Sequence, residues 1–305
     1  MRVDIGGQAV IEGVMMKSKN YYSVAVRKPD NSTDVDVKKS SSFLDKSKFF
    51  RLPIIRGVVV FVESLVVGTK TLSYSAEILG EDEDEDPSKF ELWLRDKLGD
   101  KTEKIFLVIT MMISFALSIT IFMVLPMWLS QLFRYFISSS FVLNLIEGVF
   151  RITIFLIYMK LISNMKDIKR TFMYHGAEHK AINCLESELP LTIENVQTST
   201  RLHKSCGTSF LFIVMVVSIL VFSVFTTTNI WLRTVIRIIM VPVISGISYE
   251  FIRWARKNPD NSLASFVSKP GLWLQKEFTT LEPDEGQIEV AILALNAVLE
   301  KEEEV

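Results

Sequence analysis

The property that most limits how this chain can fold is a pair of long runs without one charged residue, Ile105–Leu129 and Thr208–Trp231. An α-helix needs about 20 mostly apolar residues to cross the hydrocarbon core of a bilayer. Lipid offers no partner for backbone N–H and C=O groups, so runs of this kind must be helical. Phe141–Ile162 is also long enough but carries Glu147 and Arg151, and Val235–Trp254 carries Arg237, Glu250 and Arg253. Hydrophobic residues make up 49% of the 305 residues and charged residues 23%, and the charge is gathered into blocks between the apolar runs. Core helices of a large soluble protein would account for one such run, but hardly for two. The expected fold class is mainly α: a polytopic helical membrane protein with four transmembrane helices, one interfacial or re-entrant helix and a small N-terminal β element.

Orientation follows from lysine and arginine near the spans, which are retained on the cytoplasmic side. The stretch between the first two spans has only Arg134, and that between the last two only Arg233, whereas the central loop carries Lys166, Lys169, Arg170, Lys180, Arg201 and Lys204. Both termini and the central loop are therefore expected in the cytoplasm. The polar, glycine-bearing N-terminus does not have the basic-then-apolar order of a secretory signal. The two cysteines, Cys184 and Cys206, lie in or beside the central loop, where a reducing cytosol argues against a structural disulfide. A net charge of -1 suggests no nucleic-acid partner; the expected surroundings are membrane lipids, with membrane proteins or translocation machinery as candidate partners.

Between the spans the sequence divides into recognisable segments. Residues 1–50 read as a cytoplasmic β element, with Asp4–Gln8 as a turn and two period-two stretches, Tyr22–Arg27 and Thr33–Lys38, joined by Pro29-Asp30-Asn31 as a hairpin. Residues 51–80 read as the interfacial or re-entrant helix, because the apolar stretch at Leu52–Leu79 is broken by Glu63 and flanked by Gly57 and Gly68. Six consecutive acids at Glu81–Asp86 mark residues 81–104 as an acidic linker. The four-helix transmembrane domain occupies 105–254 with its cytoplasmic loop at 163–207, and 255–305 forms a helical C-terminal segment. In that segment Pro270–Glu277 reads as a short helix. Pro283-Asp284 opens a second one, with Ile288, Ala291, Ile292, Leu295, Val298 and Leu299 at helical spacing.

Chemistry is concentrated in the central loop, which holds all three histidines, His175, His179 and His203. Asp167–Leu185 has helical character, so His175 and His179, spaced i, i+4, share a face. With Glu178 between them they form the pattern H-x-x-E-H. In zinc peptidases with this inverted order the histidines bind metal and the glutamate activates water. A third ligand is needed, and Glu250 near the cytoplasmic end of the fourth span is the first choice, because a carboxylate there is costly without a partner. The rival is the pair His203 and Cys206, an H-x-x-C arrangement that would complete a closed structural site; Glu186 and Glu194 are further carboxylates in the loop. Cys184 reads as a small packing residue. Glu147 and Arg151, spaced i, i+4 within the second span, form an intramembrane polar pair that neutralises itself, with a polar cavity or substrate path as the other reading.

Six strings, Gly6–Met16, Arg51–Gly57, Tyr174–Asn183, Cys206–Phe210, Gly246–Glu250 and Pro270–Gln275, resemble the YqhQ-like family of bacterial multi-pass membrane proteins, whose function is unknown and whose label is predicted metal-dependent enzyme. The resemblance spans nearly the whole chain. It implies a multi-pass protein of the bacterial inner (plasma) membrane. Three readings stay open, the last of them, lipid or solute transport, resting on Glu147 and Arg151 alone. The first is a metal-dependent hydrolase, with peptidase chemistry as one option, at the cytoplasmic face: zinc on His175, His179 and Glu250, Glu178 as base, and the glycine-bearing Gly6–Met16 segment close to the site. The second is a non-enzymatic assembly or translocation accessory factor, in which the same residues form a structural metal site or a hydrogen-bond network.

Overall fold

The computed structural model describes residues 5–80, 102–204, 206–225, 229–258 and 260–304. The acidic run at 81–86 and most of the segment read as an acidic linker lie outside the described residues. The chain divides into two compact units: residues 1–79, 159–217 and 241–305 form one, and residues 80–158 with 218–240 form the other.

The first unit opens with a four-stranded antiparallel meander, β1 (Gly6–Val10), β2 (Gly13–Lys17), β3 (Tyr21–Arg27) and β4 (Thr33–Lys39), paired in chain order. The hairpin expected from the period-two stretches is β3–β4, in register from Tyr21↔Lys39 to Arg27↔Thr33. The segment around Gly6-Gly7-Gln8, expected as a turn, is instead strand β1, and the turn comes later, where Glu12 takes a left-handed φ of 49° between Val10 and Gly13. Glycine in a strand marks a place where another group comes close to the backbone, and Gly7 is such a place.

Both faces of this sheet are covered. Alternation in β3 sends Val24 and Val26 to one face, where with Val10 and Met15 they meet Val67, Tyr74, Ile78 and Leu79 of helix α1 (Ile55–Leu79). Val14, Met16 and Ala25 point the other way. They join Tyr174, Ala177 and Ala181 of a helix at Lys166–Glu186, together with Ile288, Ala291, Leu295 and Val298 of the C-terminal helix at Glu285–Glu303. That last helix starts as its sequence indicates, with Asp284 accepting from Gln287 N and the Gln287 side chain returning the bond in a capping box. The helix before it begins at Ser262 rather than Pro270, because Asn261 caps it by accepting from Leu263 N and Ala264 N.

The other helices in chain order complete the fold. After α1 come α2 (Thr102–Ile119) and α3 (Leu125–Gln131), joined by one π turn, then α4 (Ser140–Ile162), α5 (Lys166–Glu186) and α6 (Ile193–Thr198). They are followed by α7 (Gly207–Val224), α8 (Ile230–Lys257), α9 (Ser262–Leu274) and α10 (Glu285–Glu303). Among the described residues four stretches are long and apolar enough to cross a membrane: Val108–Gln131, Ser140–Ile162, Gly207–Val224 and Trp231–Lys257. The third is shorter than the apolar run suggested, since Trp231 already belongs to the next helix.

In the second unit α4 and the end of α7 pack closely at Gly148, against Ile219. Phe122, in the π turn after α2, stacks edge-on with Tyr158 of α4 at 5.2 Å between ring centres.

Candidate metal centre

Helix α5 is buried along the stretch that carries the motif. Tyr174, Glu178, His179 and Lys180 are all under a tenth exposed. Its position is set from both sides. Arg170 makes a bidentate pair with Glu12 at the β1–β2 turn, and the Tyr174 hydroxyl donates to the same carboxylate. On the far side Leu281 N donates to Phe172 O at 2.9 Å, bringing residues 279–282 alongside the helix. Gly176 permits that approach, since a Cβ there would lie 2.0 Å from Leu281 O.

The two motif histidines are oriented alike. His175 Nδ1 lies 2.7 Å from the carbonyl of Thr279, and His179 Nδ1 lies 2.7 Å from the carbonyl of Arg201. A carbonyl only accepts, so each ring donates from Nδ1, an arrangement that leaves Nε2 as the nitrogen available to a metal. The ring centres are 4.3 Å apart. Cys206 supplies a third donor, its Sγ 3.2 Å from His175 Nε2. One donor atom from each of His175, His179 and Cys206 falls within 4.8 Å of the others. Around a single zinc ion, nitrogen and sulfur ligands stand about 3.5 Å apart, so small side-chain adjustments suffice to close this set.

Cys206 is held there by its neighbours. Thr208 N and Oγ1 lie 3.4 and 3.1 Å from Sγ at the start of α7. The loop before it is clamped by Gln275, wholly buried, which accepts from His203 N and donates to His203 O, both at 2.9 Å. Arg201, whose carbonyl orients His179, is itself tied through its guanidinium to Thr280 O at 2.6 Å. Neither Gln275 nor Arg201 was singled out from sequence as shaping a site, because a side chain that works by gripping a distant backbone leaves no local pattern.

Glu178 completes the arrangement. It is 4% exposed, with Oε2 3.8 Å from His175 Nε2. Strand β1 lies directly on it: a Cβ on Gly7 would come 2.7 Å from the Glu178 Cδ and Oε1. The Gly6–Met16 segment thus supplies the site's roof at Gly7, where a side chain has no room.

The other sequence candidates sit elsewhere. Glu250, the expected third ligand, is not part of the donor cluster; its carboxylate is gripped by Arg56 through Nε, at 2.5 Å, and Nη2. A carboxylate so engaged has its lone pairs directed at the guanidinium, and the cost of placing it near the membrane is met by Arg56 from α1. His203 is close to His179, with 5.7 Å between ring centres, but its Nε2 faces Glu186 at 3.2 Å. Burial depresses the His203 pKa, against the opposing pull of Glu186. Glu194 is exposed in α6, and Cys184 lies on the buried face of α5 as part of the core.

Residues 52–301 match the model of a family described as "Protein of unknown function (DUF1385)". The chain is also 38% identical over 299 residues to "Uncharacterized protein YqhQ" of Bacillus subtilis (strain 168), an alignment covering 97% of this chain and 92% of that protein. No solved structure matches.

Proposed function

The chain belongs to the DUF1385 family, and from its geometry we propose that it is a metal-dependent hydrolase with peptidase chemistry as the first option, working at the cytoplasmic face of the bacterial plasma membrane. The observation that carries this reading is the convergence of His175, His179 and Cys206 beside the buried Glu178. Structural zinc sites are closed by four protein ligands, whereas catalytic ones have three and keep a position for water or substrate. Among the described residues three donors converge, and His203, which would close the set, is turned to Glu186. Zinc in such a site lowers the pKa of a coordinated water and polarises a carbonyl. The chain's own groups do the rest. The Thr279 and Arg201 carbonyls fix both imidazoles, Gly7 and α5 shield Glu178 from bulk water, and the Glu178 carboxylate is placed to take a proton from an attacking water.

Elemental analysis of purified protein tests the donor set. The wild type is expected to hold about one zinc per chain, Cys206→Ala less than about a tenth of that, and Glu250→Gln an undiminished amount. Metal retained by Cys206→Ala, or lost by Glu250→Gln, would return Glu250 to the site. If no variant nor the wild type holds metal, the accessory-factor reading is the one that remains.

The proposed orientation places both termini and the 163–207 loop in the cytosol. Single cysteines introduced at 20 and at the exposed position 289 are expected to be protected from a membrane-impermeant thiol reagent in intact cells, and one at 134 to be labelled. Labelling at 289 but not at 134 would reverse the orientation and put the site outside the cell.

A further inference from the structure

The second unit contains a cluster that the proposed hydrolase does not use. Glu147 of α4, read from sequence as paired with Arg151 alone, is shared by three arginines. Arg151 Nη2 donates to Oε1 at 2.8 Å, Arg237 Nη2 donates to Oε2 at 2.5 Å, and Arg233 Nη2 lies 3.3 Å from Oε2. All four residues are under a tenth exposed. Asn144 accepts from Arg233 at 2.7 Å and Ser218 from Arg151 at 2.7 Å, and both groups are uncharged. The Phe222 ring lies between two of the cations, 5.6 Å from the Arg151 guanidinium carbon and 5.2 Å from that of Arg237.

The charges do not balance. Among the described residues three guanidinium groups meet one carboxylate, an excess of two positive charges within helices apolar enough to span a bilayer. Arginine in a span is costly and pairs with an anion, or snorkels to the interface. Snorkelling does not describe Arg233, which lies one turn into α8 yet turns inward to Asn144 and Glu147. Donor capacity also remains. Among the described residues Arg151 Nε is buried without an acceptor, whereas Arg237 Nη1 and Nη2 each lie 2.5 Å from a Glu147 oxygen. Forked guanidinium donors match tetrahedral oxyanions, which they bind through paired N–H···O bonds.

We propose that Arg151, Arg233 and Arg237 form a binding site for a phosphate-type oxyanion within the membrane-spanning helices. The cluster lies near the starts of α4 and α8 and the end of α7, which in the proposed orientation is the side away from the cytosol. The anion is therefore either the headgroup of an anionic lipid of the outer leaflet or a free phosphate from outside.

Thermal unfolding of the full-length protein in an uncharged detergent, followed by tryptophan fluorescence, tests this in two arms. One compares sodium phosphate with sodium chloride at equal ionic strength; the other compares phosphatidylglycerol with phosphatidylcholine in mixed micelles. A saturable rise in unfolding temperature in the first arm supports the site with a soluble anion, and a rise confined to the second supports it with a lipid headgroup. Arg233→Gln, which leaves the Arg151 and Arg237 pairs with Glu147 in place, is expected to weaken half-saturation about tenfold. Lys169→Gln, at an exposed cation outside the spans, should leave it unchanged. The absence of a saturable shift of the wild type in both arms overturns the proposal whatever the variants do. So does a shift that Arg233→Gln leaves intact or that Lys169→Gln weakens equally.

Discussion

Glu178→Gln is expected to keep its zinc and its fold while reducing the function that the gene restores in a deletion strain by about 10²–10⁴-fold, the usual contribution of a general base. The substitution preserves size and removes only the ability to take up a proton, so nothing else in the site need move. A structural centre would behave otherwise: there Glu178→Gln would be mild, and His175→Ala would lower protein abundance. A Glu178→Gln chain that complements as well as the wild type excludes the catalytic role.

The same variant has a second readout. Burial pushes the Glu178 carboxyl from an ordinary 4.5 up to about 7, with His175 pulling the other way. Metal-free folded protein therefore holds a proton that the unfolded chain has already released between those values. The stability this proton supplies is complete below about pH 4.5 and is lost as the pH rises through about 7, a range of about 3 kcal/mol for a shift of this size. Chelator-treated wild type should thus lose thermal stability from pH 5 to 8 relative to chelator-treated Glu178→Gln, which has no such proton. Parallel pH profiles for the two proteins would show that the carboxyl is not held in a dry environment.

Gly176→Ala is expected to be the most damaging single methyl addition in the motif. The new Cβ would lie 2.0 Å from Leu281 O and 3.5 Å from Pro283 Cδ. The nearest obstacle is backbone, so no rotamer change relieves it. Overpacking of a well-packed interior costs about 1–3 kcal/mol and more where backbone must shift. An upper-end cost corresponds to a fall in unfolding temperature of about 5 °C for a chain of this size. The displaced segment carries Thr279, whose carbonyl orients His175, so zinc content should fall with stability. An alanine at 176 that changes neither would mean that residues 279–282 do not pack against α5 as described.

Comparison of the two histidine-bearing segments shows why part of the site was legible in one dimension and part was not. The i, i+4 spacing of His175 and His179 places them on one face of any helix, whatever the helix packs against, and Glu178 follows from the same periodicity. The choice among Glu250, His203 and Cys206 was of a different kind. All three residues were visible as candidates, but their distances from the histidines depend on where α7, α8 and the 199–206 loop come to rest. Glu250 is taken by Arg56, which lies 194 positions away in sequence, and no local pattern announces a bond across that interval. Cys206 is delivered by the grip of Gln275 on the His203 backbone, again a contact between remote segments.

The four apolar runs, the β3–β4 hairpin and the capped C-terminal helix were determined by the sequence itself, because each depends on interactions within a few residues: backbone satisfaction in lipid, side-chain alternation, and a cap bonding to its own first turn. Only the tertiary structure decided that Gly6–Val10 is a strand, since glycine there serves the close approach of Glu178 rather than a turn. Packing also gave Glu147 three arginines instead of one. Arg151 lies on its own helix at a fixed spacing, but Arg233 and Arg237 reach it from α8, and the energy that joins charges across helices depends on separation in space, about which separation along the chain says nothing.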